Sequence, residues 1–189
     1  MVSNNKNFLR SKYINNRLSM EKEEINRLSH KVTDKLLSMN IWDKNYYHIY
    51  NSIDKNNELN TDFLKNLLYA KQKKIIIPKI QNNRLIHFKI NDKTTFELNN
   101  YSIKEPISGV MIDAQKLDVI FIPLIIFDLL GHRVGYGKGY YDRFLQTVNS
   151  NSLKIGLSLF EPIDKISDRN NYDVSMDICV TPTKVYNFK

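Results

Sequence analysis

Apolar residues in the first part of the chain recur at helical spacing. One long helix is predicted from a stripe at intervals of three and four residues, formed by Ile25, Leu28, Val32, Leu36 and Met39. Ser19 is its expected N-cap, because a hydroxyl can accept from the first free backbone N–H groups of a helix. A second helix is expected after Thr61, with an inward face made of Phe63, Leu64, Leu67 and Leu68.

Shorter apolar runs predict the strands of a sheet. These runs lie at residues 46–53, 74–78, 118–127, 153–160 and 177–181. Segment 84–90 alternates instead, which favours an edge or half-exposed strand with His87 facing solvent. Because strands alternate with helices, the pattern predicts an α/β fold of three layers, α/β/α, with a mostly parallel central sheet covered on both faces.

Composition narrows the class of protein. The chain has 189 residues, of which 42% are hydrophobic, with eleven Tyr and nine Phe, as expected of a globular chain with a real core. No apolar run approaches the length of a membrane span, and the N-terminal segment is too polar for a signal peptide. Cys179 is the only cysteine, so no internal disulfide can form, and we expect a cytoplasmic protein.

The net charge of +8 leaves two classes of partner open. A basic protein suits nucleic acid, and the same field attracts a small molecule that carries phosphates or carboxylates. The lysines are scattered through Asn-rich polar segments and form no Arg-rich block. Charge alone does not choose between the two classes.

The residues best suited to ligand binding or catalysis follow the apolar run 118–127. Residues 131–139 read Gly-His-Arg-Val-Gly-Tyr-Gly-Lys-Gly, and helical spacing then returns with Tyr140, Phe144 and Val148 on one face. Glycine lets the backbone turn sharply and approach a ligand closely. Backbone N–H groups at the start of a helix point at an anion, so the segment predicts a phosphate-binding turn.

Charged side chains in the same segment extend this prediction. Arg133 can grip two oxygens, Lys138 supplies a point charge, and Asp142 can hold magnesium through oxygen. The spacing matches neither the Walker A motif nor G-x-G-x-x-G. A purely structural turn stays open as an alternative, since tight strand-to-helix turns need glycine anyway.

Segment 133–143, Arg-Val-Gly-Tyr-Gly-Lys-Gly-Tyr-Tyr-Asp-Arg, resembles the signature of the 5-formyltetrahydrofolate cyclo-ligase (5,10-methenyltetrahydrofolate synthetase) family. The family pattern is Gly-x-Arg-Leu-Gly-x-Gly-x-Gly-Tyr-Tyr-Asp after a strand ending Phe-Asp. Weaker resemblances lie at residues 6–10, 58–61, 101–106 and 172–182. The resemblance implies one cyclo-ligase domain over residues 1–189, with a fold similar to the NagB/RpiA/CoA-transferase-like fold.

The resemblance also implies an activity. Members convert 5-formyltetrahydrofolate and ATP to 5,10-methenyltetrahydrofolate, ADP and phosphate, with Mg²⁺. The formyl oxygen is phosphorylated, N10 closes the ring, and phosphate leaves. The partners expected here are therefore these two small molecules, with no nucleic acid and no membrane, and we expect a monomer.

Carried over residue by residue, the resemblance assigns Lys138 and Arg133 as catalytic residues. The implied ATP contacts are Lys6, Asn7, Phe8, Leu9, Arg10, Arg133, Val134, Gly135, Tyr136, Gly137, Lys138, Gly139, Tyr140 and Tyr141. The implied folate contacts are Ile53, Glu58, Tyr101, Tyr136, Gly137, Lys138, Gly139 and Tyr140. The implied magnesium ligands are Asp142 and Asp177.

The sequence departs from the family in two places. The family commonly has small residues before Phe-Asp, where this chain has Leu124, Ile125 and Ile126. Tyr172 stands where the family has His, so no base is assigned there. Three alternatives remain: a basic nucleic-acid-binding module, another anion-binding α/β enzyme such as a sugar-phosphate isomerase, and a degenerate member that binds folate without turnover.

Overall fold

The computed structural model describes residues 4–189. Within that range the helices are α1 (Lys6–Leu18), α2 (Lys22–Leu37), α3 (Asp62–Ala70) and α4 (Tyr140–Leu145). The first strands are β1 (Tyr46–His48), β2 (Lys74–Gln81), β3 (Arg84–Lys89), β4 (Phe96–Leu98), β5 (Lys104–Pro106) and β6 (Val110–Met111). The later strands are β7 (Val119–Pro123), β8 (Ile126–Phe127), β9 (Arg133–Val134), β10 (Leu153–Leu157), β11 (Ile178–Val180) and β12 (Val185–Asn187).

Eight of these strands form the central sheet, in the order β12-β11-β10-β7-β1-β2-β3-β6. The five central strands, from β11 to β2, pair in parallel. Strands β12, β3 and β6 add antiparallel edges. The predicted mostly parallel sheet is therefore confirmed. None of the helices formed by residues 4–189 combines the length and the apolar character that a membrane span needs.

Helices cover both faces of the sheet, because its central strands are apolar on both sides. In β7, Val119 and Phe121 pack with α2 and α3 on one face. Ile120 and Ile122 pack with Phe144 of α4 on the other face. This alternation of buried side chains produces the three-layer arrangement that the pattern predicted.

The apolar run 118–127 is not one strand. β7 ends at Pro123, and the chain then leaves the sheet, with the Ile125 N–H donating to the Val134 carbonyl at 2.8 Å. Ile126 and Phe127 form β8, which pairs with β9 in a separate hairpin. The Asp128 carboxylate stabilises this hairpin by accepting from the His132 N–H at 2.9 Å. The glycine turn is thus attached to the sheet through a hairpin.

The bulky residues that depart from the family pack inward. Leu124, Ile125 and Ile126 are at most 7% exposed. A Cβ on Gly156, in the neighbouring strand β10, would lie 2.8 Å from Leu124 Cδ2. The absence of a side chain at position 156 therefore makes room for Leu124 where the family has a small residue.

Two local predictions are wrong. Ser19 is the C-cap of α1, and Glu21 precedes α2 as its N-cap, because the first helix runs further than its weak apolar pattern indicates. His87 is 5% exposed, not on the solvent side. β6 pairs with β3, so β3 is not an edge strand, and the Phe144 ring packs 4.3 Å from the His87 ring.

Candidate functional site

A cleft of about 630 Å³ opens at the carboxyl ends of β1, β2 and β7. Its walls come from the segment after β1, the end of β2, the glycine turn and the start of α4, with Lys6 and Arg10 of α1 closing one side. The carboxyl edge of a parallel sheet is where α/β proteins bind ligands. The topology therefore brings stretches that are distant in sequence to one concave surface.

The glycine turn presents free backbone donors to this cleft. None of the N–H groups of residues 135–139 donates a hydrogen bond within residues 4–189. Gly137 (φ +86°) and Gly139 (φ +67°) adopt left-handed backbone conformations that favour glycine. Helix α4 has only six residues, so few aligned peptide dipoles contribute, and the free amides and nearby cations provide most of the attraction for an anion.

Helix α1 is fastened to the back of this turn. Arg10 Nε donates to the Gly135 carbonyl at 2.7 Å. A Cβ on Gly137 would lie 3.2 Å from Arg10 Nη2, so glycine permits the guanidinium to lie directly against the turn. Lys138 lines the cleft, and its ammonium has no hydrogen-bond or ion-pair partner within the described chain. Two cations from distant parts of the sequence thus flank the same amides.

Arg133 and Asp142 form an ion pair across the base of the turn. Arg133 Nη2 lies 2.7 Å from Asp142 Oδ1, and Nη1 donates to the Val174 carbonyl. Burial lowers the pKa of Arg133, while Asp142 and then Asp173 oppose that shift. With both terminal nitrogens already donating within the protein, Arg133 orients Asp142 and segment 173–174 more directly than it reaches a ligand.

Asp173 joins Asp142 at the cleft. Its carboxylate pairs with the Lys6 ammonium at 2.5 Å, and the Val174 N–H that follows it donates to Asp142 Oδ1 at 3.3 Å. Both aspartates line the cleft. Sequence reasoning missed Asp173, although it lies only four residues before Asp177 in the same segment.

The structure does not bring Asp177 together with Asp142. Asp177 lies at the start of β11, outside the cleft, with a side chain 5% exposed between Lys154 and Lys189. Burial opposes its ionisation, but hydrogen bonds from those two lysines outweigh burial and lower the pKa of Asp177. Its oxygens are engaged in ion pairs that hold β10, β11 and the end of the chain together.

Glu58 lies at the floor of the cleft, 7% exposed. Tyr136 Oη donates to Glu58 Oε1 at 2.5 Å, and the Ile53 N–H donates to Oε2 at 2.7 Å. Burial raises the pKa of Glu58, whereas Arg17 and these hydrogen bonds oppose the rise. Glutamates in loops are mostly exposed to solvent, but Glu58 is buried and its carboxylate is oriented by two hydrogen bonds.

A β-hairpin places Tyr101 at the rim of the cleft. Strands β4 and β5 form it, and Glu105 Oε1 accepts from the Ile80 N–H of β2 at 2.8 Å, which anchors it beside the cleft. Burial first, and then the neighbouring Tyr101 side chain, raises the pKa of Tyr140. Two aromatic rings therefore border the mouth of the cleft.

The remaining residues predicted to contact ATP or folate fall into two groups, those that line the cleft and those that do not. Ile53, Tyr136, Gly139, Tyr140 and Tyr141 line the cleft with the residues described above. Leu9 and Val134 are 1% and 0% exposed and pack in the core under α1, while Asn7 and Phe8 face solvent. The cleft also contains residues that no sequence motif indicated, among them Tyr50, Asn51, Lys55, Asn56 and Asn170.

Metal binding by the protein alone is not favoured by this geometry. Within the described residues no group of three or more His, Cys, Asp and Glu side chains could hold a metal ion. Mg²⁺ usually takes one or two carboxylates together with substrate phosphates and water. Asp142 and Asp173 fit that requirement, because both are carboxylates at the rim of the free amides.

Comparison with known proteins gives the family. The sequence model of the 5-formyltetrahydrofolate cyclo-ligase family matches residues 2–182. The chain is 30% identical over 178 residues to the 5-formyltetrahydrofolate cyclo-ligase of Mycoplasma genitalium, covering 92% of this chain and 97% of that protein.

Two solved structures agree in fold. The NMR structure of Aquifex aeolicus 5,10-methenyltetrahydrofolate synthetase has a TM-score of 0.85 at 30% identity, covering 97% of this chain and 93% of that one. The Mycoplasma pneumoniae 5,10-methenyltetrahydrofolate synthetase has a TM-score of 0.75 at 25% identity, covering 94% and 98%. The chain belongs to the 5-formyltetrahydrofolate cyclo-ligase family.

Proposed function

We propose that this protein converts 5-formyltetrahydrofolate to 5,10-methenyltetrahydrofolate and couples the ring closure to conversion of ATP to ADP and phosphate, with the formyl oxygen leaving in the phosphate. The observation that carries the proposal is the pairing of two different binding surfaces in one cleft. Unpaired amides of residues 135–139 and the Lys138 ammonium suit a polyphosphate. The buried Glu58 carboxylate and the tyrosine-bordered mouth suit a flat heterocycle with N–H donors.

The nucleotide half of the site works by charge and alignment. Lys6, Arg10 and Lys138 surround the turn with three cations. Phosphoryl transfer asks a protein mainly to orient the reacting atoms and to neutralise developing charge. Lys138, whose ammonium has no hydrogen-bond or ion-pair partner among residues 4–189, is the residue we assign to the transferred phosphoryl group. Arg133 acts behind it by holding Asp142.

Asp142 and Asp173 would hold Mg²⁺ at this half of the site, in place of the pair of Asp142 and Asp177 expected from the sequence. When bound with ATP, Mg²⁺ neutralises phosphate charge and fixes the geometry of the polyphosphate. Lys6 now pairs with Asp173. A polyphosphate would offer Lys6 an alternative partner and release this carboxylate toward the ligand side.

The pterin half supplies orientation. Glu58 would accept N–H groups of the pterin ring, and Ile53 and Tyr101 would contact its faces. The formyl oxygen would then attack the γ-phosphorus, breaking its bond to the β–γ bridging oxygen and releasing ADP. N10 adds to the activated formyl carbon, and loss of phosphate leaves the methenyl bridge. This sequence requires no nucleophile from the protein.

The decisive test is formation of methenyltetrahydrofolate, followed by its absorbance. Product should appear only when ATP, Mg²⁺ and 5-formyltetrahydrofolate are all present, with one ADP per product. Product formation without ATP, or none under any condition, would contradict the proposal. Saturable nucleic-acid binding in physiological salt would instead favour the basic binding module.

A further inference from the structure

Arg17 is a buried cation that does not reach the cleft. It lies in the last turn of α1, is 3% exposed, and lines a small pocket of about 10 Å³ together with Tyr50 and Glu58. Its Nε donates to the Asn56 carbonyl at 2.7 Å, and its Nη2 donates to Tyr136 Oη at 2.5 Å. A buried guanidinium is costly unless it is paired, so its position calls for a compensating anion.

That anion is Glu58, reached through one hydroxyl. Tyr136 Oη accepts from Arg17 and donates to Glu58 Oε1, so the three side chains form a directed relay. Asn56 Nδ2 also donates to the same hydroxyl at 3.2 Å. Only one proton arrangement satisfies this geometry: a neutral tyrosine between a guanidinium and a carboxylate.

We infer that Arg17 is a positioning residue for pterin recognition, which acts through Tyr136 to keep the Glu58 carboxylate ionised and aimed into the cleft. A carboxylate accepts two adjacent N–H donors, whereas a protonated carboxyl group presents a donor to one of them and repels it. Selective binding of the heterocycle therefore depends on the positive charge of Arg17, which the substrate does not contact. This inference rests on the proposed function.

The surroundings of Glu58 make this charge necessary. Asp54, in the short 3-10 helix Asp54–Asn56, disfavours its ionisation, and the hydroxyls of Tyr50, in the segment after β1, and of Tyr141, in α4, lie nearby. Burial is the largest influence and raises the pKa of Glu58. Arg17 is the cation that opposes these effects from α1, so removing its charge leaves only the hydrogen bonds from Tyr136 and Ile53 to oppose burial.

The test replaces Arg17 with Met, which keeps the bulk and removes the charge, and Arg17→Lys restores the charge. Arg27→Met, at an exposed position in α2, is the matched control. In Arg17→Met the KM for 5-formyltetrahydrofolate should rise about tenfold at pH 7, the scale of one lost hydrogen bond to a charged group. The KM should recover as pH increases, because a Glu58 carboxyl group with a raised pKa is ionised in a larger fraction of molecules at higher pH. The KM for ATP and kcat should stay within about twofold of the starting protein, because neither acts through Glu58.

A second readout does not depend on turnover. The carboxyl carbon of Glu58, assigned with Glu58→Gln, is titrated by ¹³C NMR and should show a higher midpoint in Arg17→Met, reversed in Arg17→Lys. Tyr136→Phe removes only the linking hydroxyl and should raise the titration midpoint of Glu58 as well. It serves as the second variant if Arg17→Met does not fold. An unchanged midpoint, or a KM that rises equally for both substrates at every pH, overturns the inference. Absence of turnover in the starting protein would overturn the proposed function while leaving this titration interpretable.

Discussion

Arg10 donates from Nε to the carbonyl oxygen of Gly135, which locks the N-terminal helix onto the glycine turn 125 residues later. The contact requires a glycine at 137, because the guanidinium occupies the space beside its Cα. The anion-binding amides and the two flanking cations are therefore one rigid unit assembled from opposite ends of the sequence.

Lys138→Ala should reduce kcat at least about a hundredfold, in the range seen when one group that stabilises developing charge is removed. The ammonium has no partner within the described residues, so the variant should keep its melting temperature. Stopped-time assays of methenyltetrahydrofolate with circular dichroism measure both. Lys93→Ala, on an exposed loop, is the control, and full activity of the Lys138 variant would remove the assigned role.

Gly137→Ala should destabilise the protein by about 1–3 kcal/mol, because alanine is strained at this positive φ and its Cβ crowds Arg10. Gly135→Ala is the matched control, since no atom lies within 4 Å of the Cβ that it would add. Urea denaturation of both variants gives the comparison. Equal losses of unfolding free energy in the two variants would show that the contact with Arg10 does not require glycine at position 137.

Asp173→Asn should raise the Mg²⁺ concentration that gives half-maximal activity, on the order of tenfold, as expected for a lost carboxylate ligand. Asp177→Asn should leave that concentration unchanged and lower thermal stability, because it breaks the ion pairs with Lys154 and Lys189. Activity is measured across a Mg²⁺ series for each variant. The reverse pattern would restore the assignment made from sequence.

Acid should destabilise the protein through two buried histidines. Burial lowers the pKa of His48, and it lowers the pKa of His87 to about 4 despite the nearby Asp113. The unfolded chain keeps its histidines near about 6.5, so between these values it binds more protons than the folded chain, and stability falls as pH falls. The full effect of His87 alone is on the order of 3 kcal/mol.

His87→Gln should therefore flatten the fall in unfolding free energy between pH 6.5 and 4, as followed by urea denaturation at several pH values. His30→Gln replaces an exposed histidine and should leave the slope unchanged. An unaltered slope in the His87 variant would mean that other groups, such as carboxylates, dominate acid unfolding.

The apolar patterns predicted the sheet well because burial on both faces leaves a direct signal in sequence. The runs near residues 75, 120, 155 and 179 all became central parallel strands. The alternation within one strand failed to predict exposure where a neighbouring strand or helix decides it. His87 alternates as a solvent-facing residue would, but its exposure was decided by β6 and α4, which come later in the chain.

The site was predictable where the motif is continuous, from Arg133 to Asp142. The sequence did not indicate which of two nearby aspartates, Asp173 or Asp177, lies at the cleft. Asp177 is held at the start of β11 by Lys154 and Lys189, whereas Asp173 lies in the preceding loop beside Lys6. Local sequence carries no information on these distant partners. Arg17 likewise reads as an ordinary helix cation until Tyr136 is placed beside it.

Gly156 and Leu124 constrain each other's size. A side chain at 156 would collide with Leu124 and with Met176 Sδ. Leu124 and the missing side chain at position 156 are therefore coupled, because a larger residue at either position reduces the space available to the other. Gly156→Ala should cost stability in this chain, and shortening Leu124 in the same variant should recover part of that loss.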